Sequence, residues 1–115
     1  MFEEKIRFYI SEDVRRKLKE KHGVEPEQVK ACFFNREGCY LVDVREEHKT
    51  EPPTRWFISQ DDRGKLLKVC FIYFAAEKAY EIKTAYPPNQ LEVTIYATAQ
   101  MRVSNEQAAI KDEQQ

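Results

Sequence analysis

Between Arg45 and Arg55 the chain reads REEHKTEPPTR, three cations, three acids, a histidine and two prolines in one stretch. A histidine with an ordinary pKa of about 6.5 can give or take a proton near neutrality, which makes His48 the first candidate for acid–base work. Arg45 and Arg55 bracket the stretch, and two converging guanidiniums can hold a phosphate bidentately. Glu46, Glu47 and Glu51 offer the opposite outcome, neutralising both arginines in surface pairs of little energetic weight. For His48 the competing account is a solvated loop position.

Other reactive side chains follow at wider spacing: Lys49, Lys68, Lys83, Tyr86 and Tyr96. Lys68 interrupts an apolar run, so its ammonium must reach the sheet surface or meet a carboxylate. Lys83 and Tyr86 fall on opposite parities of one expected strand, so regular geometry sends them to opposite faces. For Tyr86 a place in the core is the competing account. Arg15, Arg16, Lys17, Lys19 and Lys21 crowd one expected helix, with Glu20 the one acid among them. They fit a track for phosphates, an acidic partner, or a solvated helix face. His22 follows Val14 and Leu18 on the helical period and reads as structural. The cysteines and histidines lack zinc spacing, so no metal is expected. Three glycines leave no phosphate-binding loop, and no cofactor is expected.

The composition narrows the class. The 115 residues suffice for one core. Charged residues make up 34% of the chain, yet 19 basic against 20 acidic side chains leave a net charge of −1. Any basic surface must therefore come from segregated charge. Cys32, Cys39 and Cys70 show no framework spacing and read as reduced, mostly buried thiols. The opening MFEEKIRFYISEDVRRK has no apolar core of the secretory type, and the run from Val69 to Ala76 is too short to span a membrane. A cytoplasmic domain without membrane contact is expected.

These groups must be positioned by regular elements. KIRFYIS alternates like a short strand or an extended lead-in. Ser11 caps a helix that Gly23 ends, and Pro26 starts a second one with Val29, Cys32 and Phe33 on its inner stripe. From Tyr40 the period becomes two. YLVDV and RWFIS read as strands, and the turn Asp61–Gly64 joins RWFISQ to KLLKVCFIYF, the expected central strand, as a hairpin. YEIKTAY is a fourth strand, stopped by Pro87 and Pro88. Asn89 and Glu92 make a capping-box start for a helix to about Arg102, against the β-branched Val93, Thr94 and Ile95. The expectation is an α+β domain over residues 1–101, with a helical hairpin, about four mostly antiparallel strands and a C-terminal helix. A polar, flexible tail is expected over 102–115.

In that order, KHGV (Lys21–Val24), FFN (Phe33–Asn35), DRGKLLKVCF (Asp62–Phe71) and IKTAY (Ile82–Tyr86) resemble the BrnT-like toxin family, whose fold is similar to RelE toxins. DVREEHKTEPPTRWFI resembles small bacterial proteins labelled "ADP-ribosyl-(dinitrogen reductase) hydrolase", but the metal-binding acidic cluster of such hydrolases is not recognisable. The BrnT resemblance implies the toxin of a type II toxin–antitoxin module, a metal-independent endoribonuclease held in check by a small antitoxin. Cleavage of that kind needs a base at the 2′-OH, cations on the phosphorane and an acid at the 5′-oxygen. The candidate catalytic set is His48, Arg55, Lys83 and Tyr86. Arg45, Lys49, Lys68, Arg15 and Lys19 are the candidates for substrate binding. The sequence has TAYPPNQ where the family places arginines, which leaves a second reading: a non-catalytic protein-binding module on the same fold. The oligomeric state is left open.

Overall fold

The computed structural model describes residues 6–45 and 49–113, the side chains of 105–113 excepted. The chain runs β1 (Arg7–Tyr9), α1 (Glu12–His22), α2 (Pro26–Phe34), β2 (Leu41–Val42), β3 (Thr54–Gln60), β4 (Leu66–Phe74), β5 (Ala79–Tyr86) and α3 (Gln90–Glu113). The result is an α+β domain of three helices and one mixed sheet, ordered β1-β5-β4-β3-β2 among the described residues.

Local chemistry explains the ends. The Ser11 hydroxyl accepts the Val14 amide at 3.1 Å, which satisfies a donor that the first helical turn leaves open. Gly23 ends α1 in the left-handed region at φ 63°, where a Cβ would be strained. Pro26 begins α2, whose capping box has the Glu25 amide donating to Gln28 Oε1 at 2.8 Å. The β3–β4 turn is held by Asp61, which accepts from the Arg63 and Lys65 amides, both at 2.9 Å, and from Gln28 Nε2.

The sequence pattern holds for the hairpin and for β4 as the central strand. The sheet is larger than four strands because the N-terminal segment pairs with β5, Phe8 opposite Tyr80, in parallel. Helix α3 continues past Arg102 to Glu113. Its Val93, Thr94 and Ile95 are helical, so the cap at Asn89 and packing against the sheet outweigh their β preference.

Both helices of the hairpin pack on one face of the sheet. Phe33 of α2 meets Phe57 and Phe71 edge-on at 4.8 and 5.2 Å between centroids, and Tyr40 packs on the same two rings. Leu18, Val24, Val29, Leu67, Val69, Ile82 and Ala85 complete this core, each at most 1% exposed. The opposite face is covered differently, and it carries the polar side chains.

Candidate functional site

Side chains alternate across a strand, so with Leu67, Val69 and Phe71 in the hairpin core, Lys68, Cys70 and Ile72 face the other way. The register places Trp56 and Thr84 opposite Cys70, and Tyr86 opposite Lys68, on that same face. Helix α3 crosses it with Tyr96 against Trp56 at 5.7 Å.

The centre of the arrangement is Glu92, in the first turn of α3. Its Oε2 accepts from Lys68 Nζ at 2.8 Å and from the Tyr86 hydroxyl at 2.7 Å. Its Oε1 accepts the Asn89 amide at 3.0 Å, while Asn89 Oδ1 accepts the Glu92 amide at 2.8 Å. Thus the capping box that starts the helix also aims a carboxylate at the sheet. The Lys68 ammonium lies 4.5 Å from the Trp56 ring centroid. With side chains 8% and 16% exposed, Lys68 and Glu92 form a largely sealed pair.

A second ion pair borders the first. Asp43, 7% exposed, accepts from Arg45 Nε at 3.1 Å and Nη2 at 2.8 Å, and from the Arg45 amide at 3.1 Å. The Arg45 side chain remains 52% exposed. Both pairs lie near enough to Cys70 for their charges to act on its thiol.

The electrostatics fix the protonation states at neutral pH. Burial would lower the Lys68 pKa, but the Glu92 hydrogen bond, with Cys70 and Tyr86, leaves it raised. Burial would raise Glu92, yet bonds from Lys68, Asn89 and Tyr86 hold it below the usual carboxylate value. Tyr86 is raised by burial and by the Glu92 acceptor. Burial likewise pushes the Cys70 thiol up to about 11. The site therefore presents an ammonium bonded with a neutral phenol to one carboxylate, and a guanidinium bonded to a second, with both ion pairs acting electrostatically on Cys70.

The structure regroups the sequence candidates. It brings together Arg45, Lys68 and Tyr86. Arg55 is opposite Phe71 and Val42, hence on the hairpin face, and exposed. Lys83 is exposed beside Glu81, at 3.9 Å. Arg55 and Lys83 thus sit on opposite faces and cannot share a catalytic centre. The parity argument for Lys83 and Tyr86 fails for a physical reason. A bulge between Cys70 and Phe71 leaves Lys83 as an extra residue in β5, after which the alternation restarts. Lys83 follows Glu81, which opposes Ile72, so it shares the α3 face with Tyr86.

Arg15 and Lys19 are exposed on α1, which packs against β5. Lys49 is exposed next to the Pro-containing connection. Tyr96 donates to the Cys39 carbonyl at 2.8 Å, fastening α3 to the α2–β2 connection. His22 packs its ring against Tyr86 at 5.5 Å. His48, with Glu46 and Glu47, lies outside the described residues. Asp43, Trp56, Cys70 and Glu92 were not among the sequence candidates. Glu92 alone carried a signal, as a cap, and the cap motif says nothing of what its second oxygen meets.

Among the described residues, no group of three His, Cys, Asp or Glu side chains is placed to hold a metal ion. No helix among them is long and apolar enough to cross a membrane. Compared with known proteins, the chain matches no family model, and no curated protein aligns with it significantly.

Proposed function

We propose that this chain is the toxin of a two-protein module and cleaves RNA by internal transfer, with its reactive centre at Lys68, Tyr86, Glu92 and Arg45. One observation carries the reading: Lys68 Nζ and the Tyr86 hydroxyl meet on a single Glu92 oxygen at 2.8 and 2.7 Å. A nearly sealed ion pair, Lys68 with Glu92, is a poor device for stability, because well-packed apolar side chains of similar size serve as well or better. Perturbed groups gathered at one place are commoner where chemistry is done.

The step balances with these groups alone. Glu92, ionised at neutral pH, takes the proton of a ribose 2′-OH as that oxygen attacks phosphorus. Lys68 and Arg45 stabilise the extra charge on the phosphorane oxygens. The P–O5′ bond breaks as Tyr86 delivers its proton to the leaving oxygen, giving a 2′,3′-cyclic phosphate and a 5′-hydroxyl. The hydrogen bond between Tyr86 and Glu92 then returns the proton to the phenol. For RNA to reach the pair, the first turn of α3 must shift, and the half-exposed Arg45 marks the side of entry.

The test is induced expression at matched soluble levels of wild type, Lys68→Met, Tyr86→Phe, Arg45→Ala and Arg55→Ala, with growth and RNA ends followed. Growth arrest with cyclic-phosphate ends, lost in the first two variants, weakened in the third and kept in Arg55→Ala, is the expected pattern. Intact RNA with purified wild type would sink the proposal. The second reading, a non-catalytic protein-binding module, is favoured by the opposite placement of Arg55 and Lys83 and by the mutual satisfaction of Lys68 and Glu92.

A further inference from the structure

Strand β3 is longer than its outer neighbour. β2 reaches only Trp56 and Arg55, with Asp43 extending the ladder to Thr54, so no described strand pairs with Phe57–Gln60 on that side. The direction of the backbone groups there follows from two bonds. The Asp61 amide donates to the Lys65 carbonyl across the turn, and the Asp43 amide donates to the Thr54 carbonyl on the outer edge. Alternation then turns the amides and carbonyls of Ile58 and Gln60 outward. Asn35 Nδ2 donates to the Gln60 carbonyl at 3.0 Å, and Tyr96, whose hydroxyl donates to the Cys39 carbonyl, lines the space beside Ile58. The Ile58 carbonyl and the Gln60 amide enter none of the hydrogen bonds among the described residues.

A cleft of about 950 Å³ runs beside this edge. One wall is the α2–β2 connection from Phe34 to Cys39; the other is α3 at Tyr96, Gln100, Val103 and Ser104. Two apolar side chains stand exposed on its rim, Phe34 at 70% and Leu66 at 40%. Glu37 is exposed on the wall and forms no ion pair among the described residues. Arg36, by contrast, is spent on the Tyr40 ring at 4.0 Å and on the Gly38 carbonyl.

We propose that this cleft receives an extended segment of a partner polypeptide, added to the sheet as a short parallel strand beside β3. A single residue opposite Ser59 satisfies both open groups in the parallel sense, donating to the Ile58 carbonyl and accepting from the Gln60 amide. Apolar side chains on either side of it lie over Leu66 and Phe34, and a Lys or Arg faces Glu37. A second copy of the chain does not fit, because the two walls keep one folded β3 edge from reaching another. The inference is independent of whether Lys68 and Glu92 cleave RNA.

The test uses the full chain and a defined probe. Phage-displayed random decapeptides are selected on the purified protein, and the strongest is synthesised. Its binding is followed by backbone amide NMR and hydrogen exchange. New protection of the Gln60 amide, with shifts at 37–39 and 58–60, is the expected result, and the selected peptides carry a basic residue among apolar ones. Gln60→Pro weakens binding about tenfold or more, the scale of one lost hydrogen bond. The Gln60 N–H points away from β4, so the substitution spares the β3–β4 ladder. Methylation of the peptide nitrogen opposite Ser59 has the same effect with the protein unaltered, which separates docking from folding. Glu37→Lys weakens the basic peptide by a similar factor. Failure to select any peptide, shifts confined to other residues, or equal binding of the methylated peptide overturns the proposal.

Discussion

The two faces of the sheet share five strands and differ in what they bury. On the hairpin face, Phe33, Tyr40, Phe57, Phe71 and Tyr80 interlock ring against ring around aliphatic side chains. The α3 face buries Trp56, Cys70 and Ile72 as well, but also Lys68 and Asp43. Burying an ion is unfavourable unless its partner and further hydrogen bonds replace water. On the α3 face those partners arrive from two directions, Glu92 from the helix and Arg45 from the connection after β2. The hairpin face needs nothing of the kind. Stability therefore belongs mainly to one side of the sheet, and the other side carries groups that stability alone does not explain.

The largest expected effect tests the first half of that contrast. Phe71 is fully buried and touches four aromatic neighbours, so Phe71→Ala should cost about 3–5 kcal/mol. Urea unfolding measures it. A loss below about 1 kcal/mol would mean that the hairpin face collapses around the cavity and is not the rigid side.

The α3 face should answer differently to single and paired changes. Lys68→Met leaves the Glu92 carboxylate with Tyr86 and Asn89 as its remaining donors, and breaking a buried pair costs about 3–5 kcal/mol when one charge is left behind. Glu92 is partly exposed, so about 2–3 kcal/mol is the better expectation here. The double variant Lys68→Met with Glu92→Leu removes both charges, and its stability should return to within about 1 kcal/mol of wild type. RNA cleavage should remain abolished. A double variant as unstable as the single one would make the pair a structural rivet and remove the main support for chemistry at this site.

That division was only partly legible in the sequence. Ser11, Gly23 and Pro26 mark helix ends through local rules that depend on a few neighbouring residues. The Asp61–Gly64 turn likewise predicts the β3–β4 hairpin, and Asn89 with Glu92 predicts the start of α3. None of these signals says which face a polar residue will meet. Lys68 was expected either to reach the sheet surface or to meet a carboxylate; it does the second, but its partner lies 24 positions away, and Glu92 looked fully employed as a cap. The bulge at Lys83 changes the parity of β5 without any local glycine or proline to announce it. The parallel pairing of β1 with β5 joins segments about seventy residues apart, beyond the reach of any periodicity argument.

pH should probe the α3 face next, because it buries an ammonium, a carboxylate and a phenol bonded to one another. The folded pKa of Glu92 is below its unfolded value of 4.5, so its contribution is present above that value and is lost as pH falls through the lowered folded one. Lys68 and Tyr86 are raised above 10.5 and 10.0, so theirs is fully present below those values and is lost as pH rises through the folded ones. Stability should be level between about pH 5 and 9 and fall beyond both ends. In the Lys68→Met, Glu92→Leu variant the alkaline fall should shrink. An unchanged alkaline limb would place its cause elsewhere in the molecule.

The smallest effect is a difference in thiol labelling. Each face hides one cysteine: Cys32 under the hairpin, pushed by burial to about 12, and Cys70 under the α3 side, pushed to about 11. Cys39 is exposed and should react with a thiol reagent at once, without unfolding. The two buried thiols react only when the structure over them opens, so their rates report local stability. Helix α3 is held by hydrogen bonds of Glu92, Tyr96 and Gln100 and by Tyr96 packed on the single ring of Trp56, whereas α2 is held by Phe33 wedged among five rings. Cys70 should therefore label before Cys32, and Glu92→Gln should widen the gap by speeding Cys70 alone. Should Cys32 and Cys70 instead label at one common rate, both faces would open in a single cooperative event, and the α3 face would lose its claim to be the side that admits a substrate.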